Sequence, residues 1–257
     1  MADISEPVGF AKSIARDLEP FGVDLVGVYL HGSACLGGWN AATSDVDLLI
    51  VVEDSIEPGT LEVICRVVIE QARHCPGTGI ECSIVTRSQA GVIRDRWPYL
   101  AHINTPDNVI PDIFPAPEHN DPDLLMHYAV CHESGIVISG PDACEVFAPV
   151  PRGAVLAYLA EELMWGLDHG SGAYALLNGC RARIYLEQNR IVSKILGGSL
   201  ALEMSDAPIA EVRAAIAAQR NESPQVPIEE GGISFVHLVA QELRDANTGQ
   251  SSTIRSI

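Results

Sequence analysis

Two aspartates separated by one residue, Asp45 and Asp47, stand at the head of an apolar run that continues to Val52. Residues two apart in a strand project from the same face, so a strand here holds both carboxylates side by side while Val46, Leu48 and Ile50 point into a core. Carboxylates this close repel one another unless a proton or a cation intervenes, and hard oxygen donors suit Mg²⁺. Twelve residues before Asp45 comes Ser33, in a Gly32-Ser33 turn that ends an earlier apolar run from Leu25 to Leu30. A turn of small residues opening a helix offers backbone N–H groups and lets a phosphate approach closely. The two features read as a metal site beside a phosphate cradle. The plainer alternative is a pair of surface acids next to an ordinary strand-to-helix turn.

The elements needed to position these groups are legible around them. Val8, Ala11, Ile14, Ala15 and Leu18 form a helical stripe over residues 5 to 19, opened by Pro7. After Gly22 come a strand, the Gly-Ser turn with its short helix, a Gly37-Gly38 loop carrying Trp39, and the aspartate strand. Trp39 either lies over a nucleotide base or simply closes its loop. Pro58-Gly59 opens a second helix that ends near His74, and Pro76-Gly77 turns the chain into a strand from Ile80 to Val85. Ile80, Cys82 and Ile84 share one face of it, which leaves Glu81 on the other. Residues 104 to 122 carry five prolines and read as a long loop, either disordered or a wall to a pocket beside the acids. A helix capped by Asp121 and a short strand, IVIS, follow. His127 and His132 on that helix read as packed or solvated rather than as ligands.

Past Pro149-Val150-Pro151 the alternation of strands and helices stops. Helices are expected at about 152–168, 172–188, 193–204, 207–220 and 232–246, broken at Gly170-Ser171-Gly172, Asn189 and Ser223-Pro224. The expected architecture is an α/β (α+β) N-terminal domain with a mixed sheet, residues 1–150, and an all-α C-terminal domain, residues 151–257, with a flexible tail from about 247.

Composition narrows the function. A formal charge of −18 argues against nucleic acid and anionic membrane as partners and favours a cationic one. Lys12 and Lys194 are the only lysines among sixteen basic residues. Seven cysteines without a CxxC pair predict free thiols and no zinc site, and neither a leader-like segment nor a membrane-length apolar run is present. The expectation is a soluble, cytoplasmic monomer.

Gly32-Ser33, Gly37-Gly38 and Ser44-Asp45-Val46-Asp47, in this order between two apolar runs, resemble the core motif of the polymerase-β-like nucleotidyltransferases. The segment DPDLLMHYAVCHESGIVISGPDACEVFAPVP, the helical half and RIVSK within it extend the resemblance to the aminoglycoside O-nucleotidyltransferases, closest to those acting on streptomycin and spectinomycin. The resemblance implies that a helical domain completes an ATP and acceptor cleft. It implies two Mg²⁺ ions on Asp45 and Asp47, with Glu81 as general base or further metal ligand. Gly32, Ser33, Lys194 and Arg181 are implied at the nucleotide, although a structural ion pair is an equal role for Arg181. On the acceptor side it implies Trp165 and Asp168, where the spacing is shorter than the family's and its next acid falls near Ser171 or is missing. Trp165 is otherwise a core residue of an amphipathic helix. Glu161, Glu162 and Asp168 are candidates to pair with acceptor cations. The implied reaction is transfer of AMP from ATP to a hydroxyl of a cationic aminoglycoside or aminocyclitol; the alternatives are a protein or other small-molecule acceptor, or a silent nucleotide-binding protein.

Overall fold

The computed structural model describes residues 3–105, 120–225 and 227–254. These divide into two compact units, Met1–Val150 and Pro151–Ile257. The first unit runs α1 (Ser5–Leu18), β1 (Leu25–Leu30), α2 (Gly32–Cys35), β2 (Val46–Val52), α3 (Pro58–Ala72), β3 (Ile80–Thr86), α4 (Arg87–Ala90), β4 (Ala101–Asn104), α5 (Leu124–Ser134), β5 (Ile136–Ser139) and α6 (Ala143–Val146).

Its five strands form one mixed sheet in the order β4-β3-β2-β1-β5. Only β2 and β3 are parallel, joined by the α3 crossover; the other pairs are antiparallel. β2 lies at the centre, and every residue of it except Asp47 is buried. That position explains its near-continuous apolar sequence, since both faces of a central strand are covered. On one face, Phe10, Ile14 and Leu18 of α1 and Ile64 and Val68 of α3 pack over Val28, Leu30, Leu48, Ile50, Cys82 and Ile84. This cluster is mostly aliphatic, with Phe10 and Trp39 among its members. Beside it the Tyr29, Tyr128 and Phe147 rings meet at centroid distances of 5.0 and 5.4 Å.

Two turns depend on glycine. Gly32 has φ +58°, and a Cβ there would lie 1.7 Å from Asp47 Oδ2. Gly77 lets the α3–β3 turn approach Ser44, whose carbonyl would stand 2.3 Å from an added Cβ. Thr78 N–H donates to that same carbonyl, which ties the turn to the start of β2.

Three elements depart from the sequence reading. α4, β4 and α6 were not expected: α4 is a single turn closed by a Thr86/Gln89 capping box, β4 is an edge strand of four residues, and α6 is a single turn. Asp121 does not cap α5 directly; its carboxylate accepts from Asp123 N–H at 3.0 Å, one turn ahead of Leu124. Residues 106–119 of the proline-rich stretch lie outside the described residues.

The second unit is helical: α7 (Arg152–His169), α8 (Gly172–Gln188), α9 (Lys194–Ala201), α10 (Ile209–Gln219) and α11 (Glu230–Ile254). α8 is its axis, buried along most of its length, with Ser171 as N-cap and Asn189 closing it in the left-handed conformation. Gly197 and Gly198 admit Arg181 and Leu177 of α8 against α9. Arg183 is paired with Glu187, Asp206 and Glu242, a cluster that links α8 to α11 and to the segment before α10. α11 runs on to Ile254, through the stretch that reads as a tail. All seven cysteines are unpaired, and among the described residues no helix is long and apolar enough to cross a membrane.

Candidate active site

Strand register brings the acids together. Asp47 of β2 is the direct parallel partner of Glu81 of β3, so both side chains rise from the same face, and Asp45 stands one residue ahead of β2. Carboxylate oxygens of Asp45, Asp47 and Glu81 all lie within 4.8 Å of one another. Among the described residues this is the one cluster of three such ligands.

The electrostatics are those of a site built for a cation. Burial pushes the Asp47 carboxyl well above the usual carboxylate range; the charges of Asp45 and Glu81 push it further, and His127 and the Ser33 N–H oppose them. Three oxygen donors this close, two of which push up the proton affinity of Asp47, fit a hard divalent ion such as Mg²⁺, which relieves the same repulsion without a proton. The group implied by the resemblance therefore suits the residues present.

Ser33 lies across from this triad. Its amide donates to Asp47 Oδ2 at 3.4 Å, and its buried hydroxyl has no hydrogen-bond partner among the described residues. A buried unpaired hydroxyl costs about 1–3 kcal/mol unless something binds it. α2 is a single turn and Ser33 N–H is already directed at Asp47, so the hydroxyl is the group of this residue left for a phosphate oxygen. Trp39, in contrast, is buried in the core beside Gly77, which answers the base-stacking alternative with the loop-closing one.

One residue at the site was read from the sequence only as packed or solvated rather than as a ligand. His127 Nε2 lies 3.7 Å from Glu81 Oε1, and its ring packs on that of His31 at 4.7 Å. His31 is fully enclosed, and burial, then the neighbouring His127, holds its basicity well below that of free imidazole. The available signal was an imidazole set inside the apolar stretch of a helix that also carries His132, since Leu124, Leu125, Met126, Tyr128, Ala129, Val130 and Cys131 around it are all buried. Further along the same face of β3, Ser83 Oγ is hydrogen-bonded to His102 Nδ1 of β4 at 2.9 Å.

In the helical unit the remaining candidates fall into two groups. Lys194 Nζ sits 4.6 Å above the Tyr174 ring, a cation–π contact, and the Tyr174 hydroxyl donates to Glu162. Trp165 meets Tyr174 edge-on at 6.2 Å and stacks on His169 at 5.1 Å. At 50% exposure Trp165 is no core residue; it belongs to a surface patch of aromatic rings with Glu162 and Lys194. Asp168 is exposed in the last turn of α7. Arg181 Nε donates to the Val192 carbonyl at 2.9 Å and Nη1 to Asn178 Oδ1 at 3.1 Å. Among these contacts its role is to hold the chain entering α9, two residues before Lys194.

Comparison with known proteins gives a consistent direction. No family model matches the chain. An aminoglycoside (3'') (9) adenylyltransferase of Klebsiella pneumoniae is 30% identical over 172 residues, which cover 63% of this chain and 62% of that protein. A spectinomycin 9-adenylyltransferase of Staphylococcus aureus is 29% identical over 146 residues, 54% of each chain. The matched stretch thus spans about three fifths of the length of the curated relatives at most. The crystal structure of spectinomycin adenyltransferase AAD(9) from Enterococcus faecialis with ATP and spectinomycin superposes with a TM-score of 0.67, over 93% of this chain and 98% of that one, at 18% identity. The fold is shared over nearly the whole chain, and the sequence is related to the aminoglycoside adenylyltransferases.

Proposed function

We propose that this protein transfers AMP from ATP to a hydroxyl of a cationic aminoglycoside or aminocyclitol of the spectinomycin or streptomycin type, releasing pyrophosphate. The observation that carries the reading is the Asp45, Asp47 and Glu81 triad on adjacent parallel strands, with the Gly32-Ser33 turn against it. The similarity to adenylyltransferases supports the same reaction and acceptor class.

In this reading Asp45 and Asp47, with Glu81 beside them, hold Mg²⁺, which when bound neutralises phosphate charge and charge developing on the attacking and leaving oxygens. The Ser33 hydroxyl donates to a phosphate oxygen. Glu81 takes the proton of the acceptor hydroxyl, whose oxygen forms a bond to the α-phosphorus as the bond to the β,γ-pyrophosphate breaks. Lys194 is assigned to the triphosphate; Arg181, held on the Val192 carbonyl, supports the segment that carries it. Glu162 and Asp168 are the acids assigned to the acceptor's cationic groups, with Trp165 as an apolar surface for its rings.

The test is acceptor-dependent pyrophosphate release from ATP and Mg²⁺, measured with spectinomycin and with streptomycin. Release that requires acceptor and is lost with chelator supports the reading. Release that is indifferent to both compounds but appears with a protein fraction transfers the chemistry to a protein acceptor and refutes this one.

A further inference from the structure

The proposed reaction gives Glu81 a proton to take, and the aim of its carboxylate decides how well it can. A glutamate has three rotatable bonds, so what lies against one carboxylate oxygen bears on where the other points; the Glu81 side chain is 25% exposed. His127 projects from α5 toward it, with Nε2 at 3.7 Å from Oε1 and a side chain only 18% exposed. That separation is longer than a hydrogen bond and short enough to close to one when the site fills.

The imidazole is itself held. Its ring lies against His31 at 4.7 Å and an interplanar angle of 42°. His31 is 2% exposed, and its backbone N–H donates to the Asp47 carbonyl at 3.0 Å, which fixes its chain against β2. α5 is anchored on both sides of His127 by buried Met126 and Tyr128. His31, His127 and Glu81 thus form a continuous row from the backbone of β2 to the acid opposite Asp47. His127 lies outside the cluster of three acids that fits a metal, so its place is behind Glu81 rather than among the ligands.

We propose that His127 is a positioning residue for Glu81: its ring nitrogen engages one carboxylate oxygen and turns the other toward the acceptor hydroxyl. The inference rests on the reaction proposed above and specifies which residue makes Glu81 competent in it. A merely space-filling His127 would leave the rate insensitive to its nitrogen, whereas a positioning His127 acts only through Glu81.

The experiment is a double-mutant cycle on the full chain with ATP, Mg²⁺ and spectinomycin, reading pyrophosphate release and thermal midpoint. His127→Phe, which keeps a ring but no donor, is expected to lower kcat by about 10–100-fold while leaving KM for ATP within about twofold. His127→Gln, which restores an N–H donor, should recover most of that loss. In the Glu81→Gln background His127→Phe should cost no more than about twofold further, because coupled residues are not additive. Equal losses in both backgrounds, no loss in His127→Phe, or no recovery in His127→Gln overturns the proposal. If the wild-type chain releases no pyrophosphate with any acceptor, the reaction reading fails and takes this one with it; an active wild type with uncoupled variants removes His127 alone.

Discussion

Asp47 is the residue on which most of the site's physics converges. Its carboxyl is pushed above the ordinary range, so the folded chain holds a proton there at a pH where the unfolded chain has lost it. With the folded value raised, the stability it contributes is full below the ordinary carboxylate pKa of about 4 and is lost as pH rises toward the folded value. Asp47→Asn therefore removes a repulsion and should raise the thermal midpoint of the metal-free protein at neutral pH. The same substitution should cut turnover by about 10²–10³-fold or more and abolish stabilisation by Mg²⁺. Thermal melts with and without Mg²⁺ at pH 5 and pH 8 check both signs: Mg²⁺ should stabilise the wild type more at the higher pH, where competition from the proton is weaker. A variant that melts lower than wild type without metal and still turns over would contradict this account.

Lys194 carries a second prediction at this scale. Its ammonium lies over the Tyr174 ring, whose hydroxyl is bound to Glu162, so the charge is pre-placed on a rigid surface. Lys194→Ala should weaken ATP binding by about tenfold, the loss of roughly one charge-assisted contact, with the melting temperature little changed. Isothermal titration with ATP and Mg²⁺ measures it. An unchanged dissociation constant would leave Lys194 with its aromatic contact alone.

Among the elements, the β1–α2–β2 segment sets the tolerance of the site. Gly32 and Gly37 both have positive φ, but an added Cβ meets Asp47 at the first and nothing within 4 Å at the second. Gly37→Ala should cost about 1 kcal/mol of stability through backbone strain, and activity should survive it. Gly32→Ala drives its methyl into the Asp47 carboxylate and should remove Mg²⁺-dependent activity. Parallel denaturation curves and turnover assays separate these two outcomes.

The same segment shows what a sequence discloses. Asp45, Asp47 and Glu81 were legible because strand alternation sorts them from Val46, Leu48, Ile80 and Cys82, a local rule that survives folding. β4 was not, because the four residues of AHIN alternate too briefly to stand out from the loop around them, and their pairing with β3 is a long-range event. The contact between His127 and Glu81 joins a helix to a strand 46 residues away, and no spacing announces it. Trp165 read more readily as core than as an acceptor contact, yet it is half exposed: a helical stripe does not say which neighbour covers it, and Tyr174 and His169 do so from one side only.

For the molecule as a whole, the proposed partners differ in how they respond to a charge of −18. An acidic protein attracts a cationic antibiotic and repels nucleotide, and salt screens both, with a Debye length that falls from about 10 Å at 0.1 M to about 3 Å at 1 M. Raising ionic strength should lower kcat/KM for the acceptor several-fold while KM for Mg²⁺-ATP stays level or improves. A steady-state salt series on each substrate checks the divergence. If both parameters fell together, the acidity would be serving solubility alone.

The central claim is that AMP moves from ATP onto a hydroxyl of a small cation. Mass spectrometry of the full chain incubated with ATP, Mg²⁺, spectinomycin and streptomycin reads that transfer directly. The account predicts one AMP added to one or both antibiotics with the wild-type chain and none with Asp47→Asn. Both antibiotics recovered unmodified, with AMP found instead on protein or not transferred at all, would contradict it.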